Sequence, residues 1–335
     1  MKLLRRIAGI KKTVYVQERV PFYREMWRSA AEQEGFGFVP LSESVWEVRD
    51  GARRIARMSN YIISLDDPVT LDMAGDKLLT YRLLAQAGLT IAKHAGFTLH
   101  SLAKMREFLD EVPGPYVVKP ARNTSSGLGI TTHLRTLREC LDAAALAFTY
   151  SDEILIEEHV VGESYRLLFL GHEMISAVRR KGVRVDGDGK KTLAQLLAEV
   201  HATFRHDADV GLTLARQGLS LELVPRSGRI LLARSTGAQM DGHREVRTVY
   251  TEDVTDELCA ELIEEARKAS LALGSEFCGV DVITVDPSVP LQSSEGRITE
   301  INTTPGLHHH YDLGPPGRTE PLARRVLRHA ARKGV

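Results

Sequence analysis

A lysine at the end of a short apolar run, followed by a loop of small residues, is the part of this sequence best suited to holding an anion. Pro115-Tyr116-Val117-Val118-Lys119-Pro120 leads into Asn123-Thr124-Ser125-Ser126-Gly127-Leu128-Gly129-Ile130. Glycine tolerates the backbone angles that turn successive N–H groups toward one point. Lys119 beside such a nest is a natural phosphate partner. A plain surface turn has the same composition, so the loop alone decides nothing. Gly189-Lys190-Lys191-Thr192 is not a Walker loop: Arg184 stands where the first glycine belongs, and Lys191 follows Lys190.

A second group is acidic. Along Ile298–Asn302 the alternation of a strand puts Glu300 and Asn302 on one face, with Ile298. If the hairpin pairs residues near 286 and 297, Asp281 falls opposite Asn302. Two carboxylates and an amide oxygen then meet, a hard-oxygen set that suits Mg²⁺. An exposed hairpin face is the competing reading. A third group is Ile156-Glu157-Glu158-His159-Val160-Val161-Gly162-Glu163, where a strand ends and backbone groups are exposed. Such a hinge can read an adenine edge, and Glu163 can accept from ribose hydroxyls, although on residues alone it is a polar loop. Arg166, Arg179 and Arg180 follow on two strands, and arginines aimed at a phosphate stabilise developing negative charge. Lys77 opens a helical segment and by itself reads as solvated surface. His308-His309-His310 is an unusual run, but neighbours on an extended segment point opposite ways, which disfavours shared metal ligation. A substrate-facing histidine and a polar loop both fit.

The elements that must position these residues follow from periodicity. A helical stretch is read near 21–34 and another over Val69–Ala87, with Leu79, Leu83, Leu84 and Ala87 on one face and Gly88 as its cap. Phe97–Leu99 reads as a strand and Ser101–Leu109 as a helix capped by Ser101. Val117–Lys119 and Ile154–Glu157 are strands, with a helix between them from about Thr136 to Ala147. Tyr165–Leu170 and Met174–Arg179 pair around Gly171, and Asp186–Gly189 is a tight turn. A helix starts at Thr192 with Gln195 completing a capping box. Thr255–Leu273 is a helix with Leu258, Leu262, Ala266, Ala269 and Leu273 on one side, closed by Gly274. Gly279–Val285 and Ile298–Asn302 form the last hairpin. Strands and helices mix without regular βαβ alternation, which makes this an α+β protein. The chain divides into 1–75, 76–164 and 165–335.

The 335 residues include 44 Lys+Arg and 44 Asp+Glu, so net charge offers no reason to expect nucleic acid or an acidic membrane as partner. Cys140, Cys259 and Cys278 are too few and too far apart for a disulfide framework or a CxxC knuckle. No signal peptide or membrane-length apolar run is read, so a cytoplasmic protein is expected. The basic stretch 1–12 reads as a first element with a solvated face.

Taken in order, these segments resemble the ATP-grasp superfamily of carboxylate–amine ligases, and within it the ATP-grasp portion of the cyanophycin synthetases. The likeness is carried by Gly75-Asp76-Lys77 with Ala87-Gly88-Leu89, Val118-Lys119-Pro120 and its loop, and Glu157-Glu158-His159-Val160 with Gly162-Glu163. It continues through Tyr165-Arg166-Leu167-Leu168, Ala177-Val178-Arg179-Arg180, Gly187-Asp188-Gly189-Lys190-Lys191-Thr192 and Asp253-Val254-Thr255. Gly279-Val280-Asp281-Val282, Glu300-Ile301-Asn302 and Pro305-Gly306-Leu307 complete it, over residues 75–312.

The resemblance implies an ATP-grasp fold, two α+β subdomains clamping ATP behind a small N-terminal α/β domain. It implies that Lys77 and Lys119 contact ATP phosphates, and that Ser125, Ser126, Gly127 and Gly129 belong to a loop folding over them. Glu157 and the Val160 backbone would bind adenine and Glu163 ribose, while Asp281, Glu300 and Asn302 would hold Mg²⁺, as two ions. Arg166 and Arg179 would face the transferred phosphate, with Arg180, His309 and His310 toward the substrate. The implied activity joins an amino-acid or peptide carboxylate to an amine through an acylphosphate, releasing ADP and phosphate. A kinase, a carboxylate–thiol ligase or a non-catalytic ATP-binding regulator are the alternatives. Small-molecule substrates and a homodimer or homotetramer are expected, with no nucleic acid or membrane partner. There are two departures from the family. The chain is too short for the Mur-ligase-like half of a cyanophycin synthetase. Arg234-Ser235-Thr236-Gly237-Ala238 is followed by extra charged residues over 241–252.

Overall fold

A computed structural model describes residues 19–122, 124, 129–201, 204–206, 208–234, 250–311 and 321–334. Their contacts form two units. One takes the chain up to Ile91, Val160–Arg179 and the chain from Glu252 on; the other takes Ala92–His159 and Arg180–Thr251. These units interleave along the chain. The cause is strand pairing: Glu163–Leu170 lies beside Phe277–Thr284 along its whole length.

In the first unit, helix Val20–Gln33 buries Val20, Tyr23, Met26, Trp27, Ala30 and Ala31, a stripe at helical spacing. The stripe belongs to one core with the C-terminal helix Leu322–Lys333 and a meander of four antiparallel strands, Gly37–Pro40, Val45–Asp50, Arg53–Ser59 and Ile62–Ile63. Both tryptophans are fully buried there, and Trp27 Nε1 donates to the Asn60 carbonyl at 3.1 Å. The same core reaches Leu168, Leu170, Ile175 and Phe277 of a five-stranded sheet. That sheet runs in the order Tyr250–Asp253, Glu173–Lys181, Glu163–Leu170, Phe277–Thr284, Arg297–Thr303. Gly171 and His172, both with positive φ, make the two-residue turn between the expected strand pair.

The stretch 69–87 forms two helices, Pro68–Ala74 and Lys77–Gln86, where the sequence predicts one. Asp76 breaks it, because its carboxylate accepts from Leu79 N at 3.0 Å and starts a new helix at Lys77. Gly88, at φ 71°, closes that helix as expected. Ser101 does not cap the helix Ala103–Glu111, because its hydroxyl turns back to accept from Thr98 N. The strand read at Phe97–Leu99 runs instead over His94–Phe97. The helix read from Thr255 begins at Ala260 behind an N-cap at Cys259, since the Thr255 hydroxyl is engaged by Asp253 and Ala177. Leu258 therefore lies outside it, and Gly274 caps it in the left-handed region.

Glu276 ties the C-terminal helix to the five-stranded sheet. Its carboxylate meets His329 Nε2 at 2.5 Å and the Lys333 ammonium. Burial works against the ionised form, but the bonds and charges of Lys333 and His329 prevail and hold Glu276 below the usual carboxylate range. A depressed folded-state value contributes stability that is present above the unfolded value and is lost as pH falls through the folded one. Glu276→Gln is therefore expected to cost about 1–2 kcal/mol at pH 7. It should also flatten the fall in urea midpoint below about pH 4.5. An unchanged acid limb would contradict the tether.

In the second unit, the four-stranded sheet His94–Phe97, Ile154–Glu158, Tyr116–Pro120, Thr131–Leu134 packs Val118, Ile154 and Ile156 under helices Ala103–Glu111 and Leu137–Ala147. A smaller group has its own core of Val185, Leu193, Leu197, Leu214 and Leu231. There Thr192 and Gln195 form the expected capping box.

Candidate active site

Three neighbouring strands of the first unit place one residue each in a row. Arg166 pairs in register with Asp281, and Asp281 with Glu300. Residues opposite each other on adjacent strands share a face, so the row is fixed by sheet geometry. The Arg166 guanidinium clasps Asp281 through Nε to Oδ1 and a terminal nitrogen to Oδ2, both at 2.6 Å. Asn302 Nδ2 donates to Asp281 Oδ2 and Glu300 Oε2, each at 3.2 Å. Burial disfavours the charged guanidinium, yet the Asp281 charge and hydrogen bonds more than offset it, and its pKa lies above the ordinary arginine value.

The hairpin register differs from the sequence expectation. Asp281 lies opposite Glu300, not Asn302, because Arg297 pairs with Ile283 and not with a residue near 286, and a bulge between Asp281 and Val282 then shifts the pairing by one. Thr299 is the extra residue of this bulge, and it re-aims the strand. Ile298 is thereby moved off the face of Glu300 to the buried side with Ile301. The bulge is pinned from the helix Lys77–Gln86: Tyr81 Oη donates to the Thr299 carbonyl at 2.9 Å. One turn earlier on that helix, Lys77 Nζ stands 3.4 Å from Glu300 Oε1.

Arg179 lies on strand Glu173–Lys181 and binds Glu252 Oε2 through Nε at 2.9 Å, with Glu163 at 3.7 Å. Burial works against its charge, but Glu252 and the Tyr165 hydroxyl hold its pKa above the ordinary value. Val160 opens this unit's middle segment, and Gly162, at φ 141°, runs so close to the Thr284 backbone that a Cβ would sit 2.3 Å from its carbonyl carbon. The histidines are not extended: Leu307–His310 is a 3₁₀ turn. His308 and His309 rings lie tilted with centroids 3.9 Å apart, Tyr23 Oη meets His308 Nδ1 at 2.5 Å, and Ser176 Oγ meets His310 Nδ1 at 2.8 Å.

In the second unit Lys119 and Glu157 form a pair at 2.8 Å, each side chain only 7% exposed. They are diagonal neighbours, since Glu157 pairs with Val117 and Leu155 with Lys119. Gly129, at φ 75°, crosses Pro120 so tightly that a Cβ would lie 2.7 Å from Pro120 Cγ. Ser125, Ser126 and Gly127 lie outside the described residues, as does the departure over 235–249. Past Glu158, the His159 ring lies tilted against His133 with centroids 4.0 Å apart, and burial lowers its pKa. Arg180 follows Arg179 but belongs to this unit.

Sequence reasoning missed Tyr81, Glu252 and the Thr299 bulge. A tyrosine one helical turn after Lys77 is a signal that could have been used; the bulge left none. Among the described residues, no group of three or more His, Cys, Asp or Glu is placed for a metal ion. The set here is two carboxylates and an amide. Such a low-charge, oxygen-only set fits Mg²⁺, which leans on further oxygens from water or phosphate.

Residues 83–207 match the family model described as D-ala D-ala ligase C-terminus. The cyanophycin synthetase of Trichormus variabilis is 28% identical over 321 residues, covering 88% of this chain and 35% of that protein. The glutathione biosynthesis bifunctional protein GshAB of Listeria innocua is 27% identical over 261 residues, 74% of this chain and 33% of the relative. The chain thus spans about a third of the length of these relatives. In fold it matches a bifunctional glutathione synthetase from Pasteurella multocida with a TM-score of 0.59 at 23% identity, covering 92% of this chain and 43% of that one. It also matches the VanG D-Ala:D-Ser ligase of Enterococcus faecalis with a TM-score of 0.50 at 20% identity, covering 80% of this chain and 64% of the other. The mixed architecture with antiparallel sheets matches the fold of these two solved structures.

Proposed function

We propose that the protein is an ATP- and Mg²⁺-dependent ligase that joins the carboxylate of an amino acid or short peptide to an amine. The row Arg166–Asp281–Glu300, closed by Asn302 and Lys77, carries the reading, because it sets a hard-oxygen pair among cations on one sheet face. A substrate carboxylate oxygen attacks the γ-phosphorus of ATP, ADP leaves, and an acylphosphate forms. The amine then attacks the acyl carbon, loses a proton, and phosphate departs as the new C–N bond closes.

In this reading Asp281, Glu300 and Asn302, the last through its amide oxygen, would hold Mg²⁺ as two ions. When bound, the metal supplies neutralising charge to phosphate oxygens. Lys77 and Lys119 bind phosphates, with backbone amides of Ser125, Ser126, Gly127 and Gly129. Glu157 and Val160 take adenine and Glu163 ribose. Arg166 and Arg179 stabilise the charge that develops on transfer. Arg180, His309 and His310 face the substrate. Residues 1–75, 76–164 and 165–335 are the pre-nucleotide, lid-bearing and metal-holding parts of a cytoplasmic homodimer or homotetramer. Among the described residues, no helix is long and apolar enough to cross a membrane.

The test is product analysis. Incubation with ATP, Mg²⁺ and pairs from an amino-acid panel is expected to release ADP and phosphate in step with an amide product seen by mass spectrometry. AMP and pyrophosphate would overturn the acylphosphate route, and a phosphorylated end product would make the protein a kinase.

A further inference from the structure

Arg166 and Asp281 form a deeply buried ion pair, with 8% and 6% of their surfaces exposed. Each Asp281 oxygen already accepts a guanidinium nitrogen at 2.6 Å, and Oδ2 also accepts from Asn302. A carboxylate has about four lone-pair sites, and at least three are in use here. A divalent cation and the guanidinium therefore need the same oxygens, and as like charges they repel across a buried carboxylate. The pair stands beside Glu300, and Asn302 links the two carboxylates.

Gly279 makes the arrangement possible. It lies two residues before Asp281 on the same strand face, and the Arg166 stem runs flat across it. A Cβ at position 279 would stand 3.1 Å from Arg166 Cδ and 3.3 Å from Cγ. The missing side chain is the bed on which the arginine reclines to reach Asp281.

We propose that Arg166 is a displaceable counter-ion. It occupies Asp281 until a divalent cation takes that carboxylate, and only then does its guanidinium turn to an anionic reactant. Cation loading would thus precede engagement of Arg166 with the carboxylate or phosphoryl group, an order built into the sheet. The proposal rests on the ligase reading of this site.

Binding of Mn²⁺ alone to the full chain, followed by electron paramagnetic resonance without nucleotide, tests it. Arg166→Gln is expected to bind Mn²⁺ at least about tenfold more tightly than wild type. Gly279→Ala, which lifts the arginine off its bed, should fall between them, and Asp281→Asn should bind more weakly than wild type. If Asp281→Asn weakens binding while Arg166→Gln matches wild type, the metal assignment stands and the counter-ion proposal fails. If Asp281→Asn binds as wild type does, the metal assignment fails with it. Should Arg166→Gln not fold, the wild-type Arg166 Nε–H signal decides by nuclear magnetic resonance. Its exchange with solvent is expected to rise at saturating Mg²⁺, and unchanged protection overturns the proposal.

Discussion

Glu300→Gln is expected to lower ADP release by about 10²–10³-fold at saturating Mg²⁺ and ATP, the cost of removing one preorganised electrostatic group from a transferring centre. The fold should hardly notice. Glu300 is about one-third exposed (32%) and its link to Lys77 is 3.4 Å long. Partly exposed pairs of this kind are worth about 1 kcal/mol or less. Glutamine keeps the shape and still accepts from Asn302, so the change isolates the charge. Steady-state ADP release and a thermal melt on the same preparation check both halves. Turnover within a few-fold of wild type would remove Glu300 from the reaction. A melt lowered as steeply as turnover would make its role structural.

Lys119→Met is expected to show the largest combined effect on stability and binding. Lys119 and Glu157 are both buried, on adjacent strands whose neighbours Val118, Ile154 and Ile156 lie in the apolar core. Removing one partner of a buried pair strands the other charge, at a cost of about 3–5 kcal/mol. Replacing both by methionine should recover most of that loss, because the desolvation of two charges disappears with them. Urea unfolding of the single and double variants measures the difference. ATP-analogue affinity should behave differently: the loss of a charge-assisted phosphate contact, about 10–100-fold, persists in the double variant. Recovery of affinity together with stability would place Lys119 in the framework alone. A single variant as stable as wild type would show that the pair is solvated in solution.

The two experiments address one residue set in each unit, and the sets differ in how far sequence alone reaches them. Lys119 and Glu157 were legible as residues, since each lies on a short apolar strand flanked by a turn. Their pairing was not, because a diagonal contact depends on which strands are neighbours. Asp281, Glu300 and Asn302 were legible as a hard-oxygen set from the alternation of the last hairpin. Their register was not, because the strands pair from Ile283 and Arg297 and not from near 286, and the bulge at Thr299 turns Ile298 off the face of Glu300. One extra residue reverses the facing of everything beyond it, and no residue type announced it.

Local chemistry is what the sequence determined by itself. Thr192 with Gln195, Gly88 and Gly274 act within a few residues of their own backbone, where hydrogen-bond reach and left-handed φ leave few alternatives. The α+β class and the order of the phosphate, hinge, arginine and acidic segments were set in the same way. The tertiary structure alone decided that Arg166 faces Asp281, that Tyr81 pins the Thr299 bulge, that Glu252 holds Arg179, and that Tyr23 reaches His308 from far along the chain. Each of those contacts joins residues whose separation in sequence carries no information about distance. Only the packing of the strands, with each side chain committed to one face, brings them within hydrogen-bond reach.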